Sequence, residues 1–268
     1  MLITRLRTAL IALPLFLGAL FYLPTWAWAL FLMPWLLVGA WEWGALAQWT
    51  QATRVQYLLL VAALCIALWM LVIEPAPSFV AMTIFAIAVL FWLTAVPLWL
   101  ARGWRVRQPL ALAAAGIVVL LPMWLAMVQL QHQPSVLLAL MAILWISDTA
   151  AYFCGKRWGR CKLAPSISPG KTWEGVAGAL AGVTLYYAIV SLNFPLAPAA
   201  LNGLLGLAVF LAMTVLGVEG DLFESWIKRT AGMKDSGTIL PGHGGILDRV
   251  EALTSTMPLA ALILAWPV

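Results

Sequence analysis

Charge is what this sequence has least of. Only 9% of its 268 residues are Asp, Glu, Lys or Arg, where an ordinary soluble domain carries about a quarter. Hydrophobic residues make up 64% and the mean hydropathy is +0.99. A chain of this length cannot hide so much apolar surface inside one globule, which excludes a water-soluble fold and makes lipid its solvent. Acidic residues are scarcest in the first 147 positions, which hold only Glu42 and Glu74. Cysteine is sparse too: Cys65, Cys154 and Cys161 have neither metal-type spacing nor a His partner nearby, so they are read as structural or incidental. The Gly-x4-Gly-Lys spacing of a phosphate-binding P-loop is absent, as is any adjacent Asp-Asp pair.

What the chain has in abundance is apolar runs. They fall at about 8–23, 27–47, 56–73, 78–100, 109–130, 135–154, 174–192, 199–218 and 252–268, many of them near the roughly 20 residues that a membrane-spanning helix needs. Backbone polar groups in hydrocarbon must satisfy one another, so each run is read as a helix. The expectation is an all-α polytopic integral membrane protein with about nine transmembrane helices. Pro14, Pro34, Pro97, Pro122 and Pro258 are candidate kinks. Arg5 and Arg7 before an apolar run, followed by Ala27-Trp28-Ala29, resemble a secretory leader. The apolar character continues at once through Leu30–Leu37, which favours a retained first span.

The fifteen basic residues sort sharply. Under strict alternation of nine spans they all fall on one side: the N-terminus, Arg54, the 101–108 gap, the 155–173 gap and the 219–251 gap. The gaps at 24–26, 74–77, 131–134 and 193–198 carry neither Lys nor Arg. By the positive-inside rule the basic side is cytoplasmic. The net charge of +5 is therefore a topology signal, and no nucleic-acid partner is expected. His132 lies in a basic-free gap with no carboxylate near it and reads as a loop residue.

Eight of the ten acidic residues are Asp148, Glu174, Glu219, Asp221, Glu224, Asp235, Asp248 and Glu251. Topology sorting does not require carboxylates, and near a membrane they cost several kcal/mol unless paired or solvated. The chain accordingly divides into N-terminal scaffold helices (1–130) and a catalytic region (131–268). From Glu219 to Thr230 the pattern is helical, with Leu222, Phe223, Trp226 and Ile227 on an apolar face. Asp221, Ser225 and Lys228 share another face. Gly232, Gly237 and Pro241-Gly-His-Gly-Gly then break the helix. Asp221 and Asp248 are the hard oxygen ligands that Mg2+ prefers. Lys228, Arg229, Lys234 and Arg249 supply positive charge for phosphates, and the bare backbone at Gly244 and Gly245 admits an anion closely. His243 either orients a phosphate or shapes the turn, and Lys234 either meets substrate or pairs with Asp235.

Asp148 ends its span near the same side; an intramembrane carboxylate is a functional candidate by default, with helix pairing the competing reading. Lys156, Arg157, Arg160 and Lys162 serve either anionic lipid head groups or topology alone. Lys171 precedes a helix start at Thr172 or Trp173, where a phosphate is well placed.

The order Ser225-x-Ile-Lys-Arg-x4-Lys234-Asp235-x-Gly237-x2-Leu240-Pro241-x-His243-Gly-Gly-Ile246-x-Asp248-Arg249-Val250 resembles the signature of the phosphatidate cytidylyltransferase (CDP-diacylglycerol synthase) family. Asp148-x3-Tyr152-x2-Gly155-Lys156-x2-Gly159 and Ser168-Pro169-x-Lys171-Thr172-x-Glu174-Gly175 are similar to a second region of that family. The family pattern ends in Asp where this chain has Glu251. The resemblance implies a metal centre around Asp221 and Asp248, holding Mg2+ with a second cation admissible, at which the phosphate of phosphatidic acid attacks the α-phosphorus of CTP. It implies CTP, phosphatidic acid and membrane lipid as partners, a site on the cytoplasmic side of the inner membrane and, by analogy alone, a homodimer. The alternative is another Mg2+-dependent membrane transferase acting on a polyprenyl or other lipid phosphate. A transporter would show related halves, which this chain lacks.

Overall fold

The computed structural model describes residues 2–72, 78–193, 199–239, 242 and 244–265, the side chains of residues 2–9, Val72 and Ala199 excepted. His243 therefore lies outside the described residues, as do Leu240 and Pro241. The described chain is a bundle of helices: α1 (Leu2–Tyr22), α2 (Thr25–Leu46), α3 (Gln51–Val72), α4 (Phe79–Leu90), α5 (Val96–Arg102), α6 (Pro109–Leu130), α7 (Pro134–Trp158), α8 (Trp173–Asn193), α9 (Gly203–Thr230) and α10 (Leu247–Ala265). A single π-helical turn, Phe91–Ala95, joins α4 to α5 and makes them one long element. Pro97 has no amide to give to Leu93, and the ladder widens just before it, with Val96 N–H reaching back to Phe91 O.

Among the described residues, seven helices are long and apolar enough to cross a membrane: α2, α3, α4 with α5, α6, α7, α8 and α9. The two ends of the chain fall short of the expected nine. The apolar stretch of α1 runs only over Leu10–Tyr22, and α10 opens with Asp248, Arg249 and Glu251. One feature departs from the all-helical expectation. The 155–173 gap holds a small antiparallel hairpin, β1 (Lys162–Ala164) with β2 (Ser168–Thr172). Glu174 braces it, its carboxylate accepting from Cys161 N at 3.0 and 3.2 Å.

Helix α6 is the most buried span, with 72% of its apolar window covered against 17% for α3, so α6 is central and α3 faces outward. Helix α10 packs on α9, α6 and α4, and α7 packs on α8. Buried apolar side chains from Ala19 to Ala261 form one continuous core across both halves of the chain.

The helix ends fall into two sets that hydrogen bonds keep apart. At one end, Gln48 Nε2 donates to Ala231 O at 3.3 Å, Trp226 Nε1 to Trp104 O at 2.9 Å and Lys171 Nζ to Val218 O at 3.3 Å. These contacts gather the gaps that carry the basic residues. At the other end, Gln131 accepts from Thr25 Oγ1 at 2.9 Å and donates to Leu23 O at 2.8 Å, joining two gaps without Lys or Arg.

Helix α9 is 28 residues long, well beyond a single span, and its extra turns carry Glu219 to Arg229. The expected apolar face holds this extension in place. Phe223, 1% exposed, meets Trp43, Phe91, Trp92 and Trp99 at ring centroid distances of 6.5, 6.0, 5.5 and 5.4 Å. The last three are edge-on, and contacts of that kind add about 0.5–1.5 kcal/mol each beyond area burial. Phe223→Ala should lower the stability of the detergent-solubilised protein by about 3–5 kcal/mol, read from thermal unfolding. A loss below about 1 kcal/mol would show that this cluster does not anchor α9.

Candidate active site

Where the basic gaps meet, α7, β2, α9 and α10 bring the expected residues together in two layers, one buried and one open. The centre of the buried layer is Lys228, 7% exposed. Its ammonium donates to Asp248 Oδ1 at 2.7 Å and lies 3.2 Å from Glu224 Oε1 and 3.5 Å from Glu251 Oε2. Lys228 and Glu224 come from successive turns of α9, and Asp248 and Glu251 from the first two turns of α10. The two helices approach closely because Gly220 has no side chain: a Cβ there would stand 2.6 Å from Glu251 O and 2.7 Å from Ser255 Oγ. Lys228, expected to hold substrate phosphate, thus spends its charge on three carboxylates.

Asp248 is equally committed. Besides Lys228, it accepts at Oδ2 from Ser236 N at 3.0 Å and Gly245 N at 2.8 Å, and Oδ2 lies 3.1 Å from Ser236 Oγ. The Gly245 amide, expected to be available to an anion, is therefore engaged. Gly244 does adopt positive φ, +83°, the left-handed region in which glycine is at ease.

The open layer is built around Asp221, whose side chain is 30% exposed. Its Oδ2 lies 2.5 Å from Lys171 Nζ, and its Oδ1 accepts from Ser225 Oγ at 3.3 Å. Ser225, expected to meet substrate, is buried and steadies Asp221 from behind. Asp148 and Arg249 are exposed, and Asp148 lies within electrostatic reach of Asp221, Lys171 and Arg249. Arg229 is exposed and donates to Met233 O at 3.1 Å, so it braces the turn that ends α9. Lys234 and Asp235 are exposed and form no ion pair with each other among the described residues, so the pairing alternative is not the one seen. The N-terminus of α8 is capped from within, Thr172 Oγ1 accepting from Gly175 N at 3.1 Å.

The donor set suits Mg2+. Around Lys171 and Lys228 stand Asp148, Asp221, Glu224, Asp248 and Glu251, all hard oxygen donors and in excess of the ammoniums. Glu224 Oε1 and Glu251 Oε2 are buried without an aligned hydrogen-bond donor. Asp221 presents its carboxylate outward, whereas Asp248 already meets the Lys228 ammonium at Oδ1 and two backbone amides at Oδ2. No three His, Cys, Asp or Glu side chains converge as a ready cage among the described residues. Mg2+ completed by substrate phosphates and water needs only one or two carboxylates.

Sequence reasoning placed Glu42 in the scaffold, but the structure brings it here. Glu42, on α2 and 4% exposed, accepts from Ile246 N at 3.1 Å, Leu247 N at 2.9 Å and Ser236 Oγ at 2.9 Å. The signal was available: a carboxylate within an apolar span is a functional candidate by default.

Removing one member of a buried ion cluster strands the rest, whereas a half-exposed pair contributes little. Lys228→Met should therefore destabilise by about 3–5 kcal/mol and Lys171→Met by no more than about 1 kcal/mol, both read from thermal unfolding in detergent. Equal losses would contradict the division into a buried and an open layer.

Comparison with known proteins is consistent across the whole chain. The model of a family described as the cytidylyltransferase family matches residues 3–266. A phosphatidate cytidylyltransferase of Pseudomonas aeruginosa is 40% identical over 98% of this chain and 97% of its own length. One from Haemophilus influenzae is 31% identical over 96% of each. One from Brucella melitensis is 46% identical over a shorter stretch, 46% of this chain and 44% of its own.

Proposed function

The chain belongs to the cytidylyltransferase family, and from that premise we propose how its residues carry the reaction CTP plus phosphatidic acid to CDP-diacylglycerol plus pyrophosphate. The observation that supports the residue assignments is the convergence of Asp148, Lys171, Asp221 and Arg249 on one open face above the buried Lys228 cluster. A phosphate oxygen of phosphatidic acid forms a bond to the α-phosphorus of CTP. The bond from that phosphorus to the α,β-bridging oxygen breaks, and its electron pair leaves on pyrophosphate. Little covalent chemistry falls to the protein in such a transfer; its work is positioning and charge neutralisation.

Asp221 and Asp248 would hold Mg2+, and the surplus carboxylate accommodates a second cation. When bound, the metal neutralises charge between two phosphate-bearing substrates. Lys171 and Arg249 are the cations on the open face, suited to the triphosphate and the lipid phosphate. Ser225 keeps Asp221 oriented. Lys228 holds Asp248 in register without touching substrate.

The sorting of basic residues to the same bundle end supports a multi-pass protein of the inner membrane with its N-terminus and site in the cytoplasm, where CTP is available. A homodimer rests on family resemblance alone.

Purified protein with Mg2+, CTP and phosphatidic acid should release pyrophosphate and form CDP-diacylglycerol. Asp221→Asn and Asp248→Asn should each lower turnover by about a hundredfold or more, with unchanged elution in size-exclusion chromatography. Full activity in both variants would remove these two residues from the metal assignment.

A further inference from the structure

Glu42 is buried, carries no ion-pair partner among the described residues, and is separated from its hydrogen-bond donors by about two hundred residues of chain. Two of those donors, the amides of Ile246 and Leu247, are the free N–H groups that open α10. Four such groups are left unsatisfied at any helix start, and they form the positive end of the helix dipole. Glu42 therefore caps α10 from another helix. Its third donor is Ser236 Oγ, which also stands 3.1 Å from Asp248 Oδ2. One hydroxyl thus stands between the Glu42 and Asp248 carboxylates and shares its single proton between them.

The loop is shaped to the Glu42 carboxylate. A Cβ on Gly237 would lie 2.3 Å from Glu42 Oε1, and one on Gly245 would lie 2.6 Å from both Glu42 oxygens and 2.1 Å from Ser236 Oγ. Two glycines of the family-like signature thus have a steric duty toward a side chain of α2, leaving little space for water to replace it.

We propose that Glu42 is a positioning residue for the transfer reaction: through Ser236 and the first turn of α10 it fixes Asp248, and through Asp248 the Lys228 ammonium. The inference rests on the cytidylyltransferase reading for its consequence in catalysis. Its structural content, the hold of Glu42 on Ser236, Ile246 and Leu247, is independent of that reading. Glutamine at 42 keeps the shape but turns one acceptor into a donor facing other donors. Ser236→Ala removes the bridge and the acceptor of the Asp248 amide at 3.4 Å, and leaves the Glu42 bonds to Ile246 N and Leu247 N.

The test compares wild type, Ser236→Ala, Glu42→Gln and the double variant in detergent, by steady-state kinetics and by hydrogen–deuterium exchange over residues 236–250. In Ser236→Ala, kcat should fall by about tenfold to a hundredfold, the factor of a hydrogen bond to a charged group, with KM for phosphatidic acid within about twofold. In Glu42→Gln it should fall further, with faster exchange in that segment. The double variant should be no worse than Glu42→Gln alone, because both act through one contact chain. Folded single variants with wild-type kcat and unchanged exchange would overturn the proposal, as would losses that multiply. If wild type itself shows no CDP-diacylglycerol formation, the cytidylyltransferase reading fails by itself, and the exchange comparison still decides whether Glu42 holds the segment.

Discussion

A single ammonium, that of Lys228, is surrounded by three carboxylates where two helices meet at the end of a membrane bundle. Isolated in such surroundings, any of these charges would carry a desolvation penalty of several kcal/mol. Together they are tolerable, and only in one relative placement of α9 and α10. Gly220 admits the close approach, and the aromatic cluster around Phe223 fixes an adjoining face of α9. The register of the two helices is thus set by both contacts, and with it the positions of Asp221 and Asp248.

The buried layer matters for chemistry because it supports the open one. Asp221 lies one turn before Ser225 on α9, and Arg249 follows Asp248 on α10, so the exposed groups take their places from the elements that the ion cluster locks together. Lys171 and Asp148 arrive from the hairpin and α7, completing a face of mixed charge. Glu42 extends the same logic into the N-terminal half, where α2 contributes to the loop that carries most of the signature. Glu42 and Asp248 are buried from water, and each of their carboxylate oxygens meets a donor from the protein.

Much of this arrangement could be read from residue order. Apolar runs located the helices, and the split between basic and basic-free gaps matches the two ends that Gln48, Trp226 and Gln131 tie together. The helical extension past Glu219, the burial of Phe223 and Ile227 and the Asp221–Ser225 contact follow from helical spacing. What escaped was long-range pairing. Glu42 and Ser236 are 194 positions apart, and no local pattern links them. Lys228 and Gly245 have the right chemistry for phosphate, but partners from other elements engage both. The hairpin at Lys162–Thr172 escaped because Ser-Pro-Gly-Lys-Thr has no alternation to mark a strand. Seven of the expected spans stand out among the described residues, and charged residues enter the first turns of α1 and α10.

The most direct measurement is a double-mutant cycle on thermal or denaturant unfolding in detergent, with Lys228→Met, Asp248→Asn and the two combined. If the ammonium and the carboxylate are locked together as described, the pair should show a coupling of about 2 kcal/mol, near the upper part of the range for residues in direct contact. Effects that add to within about 0.5 kcal/mol, as for distant sites, would contradict the account.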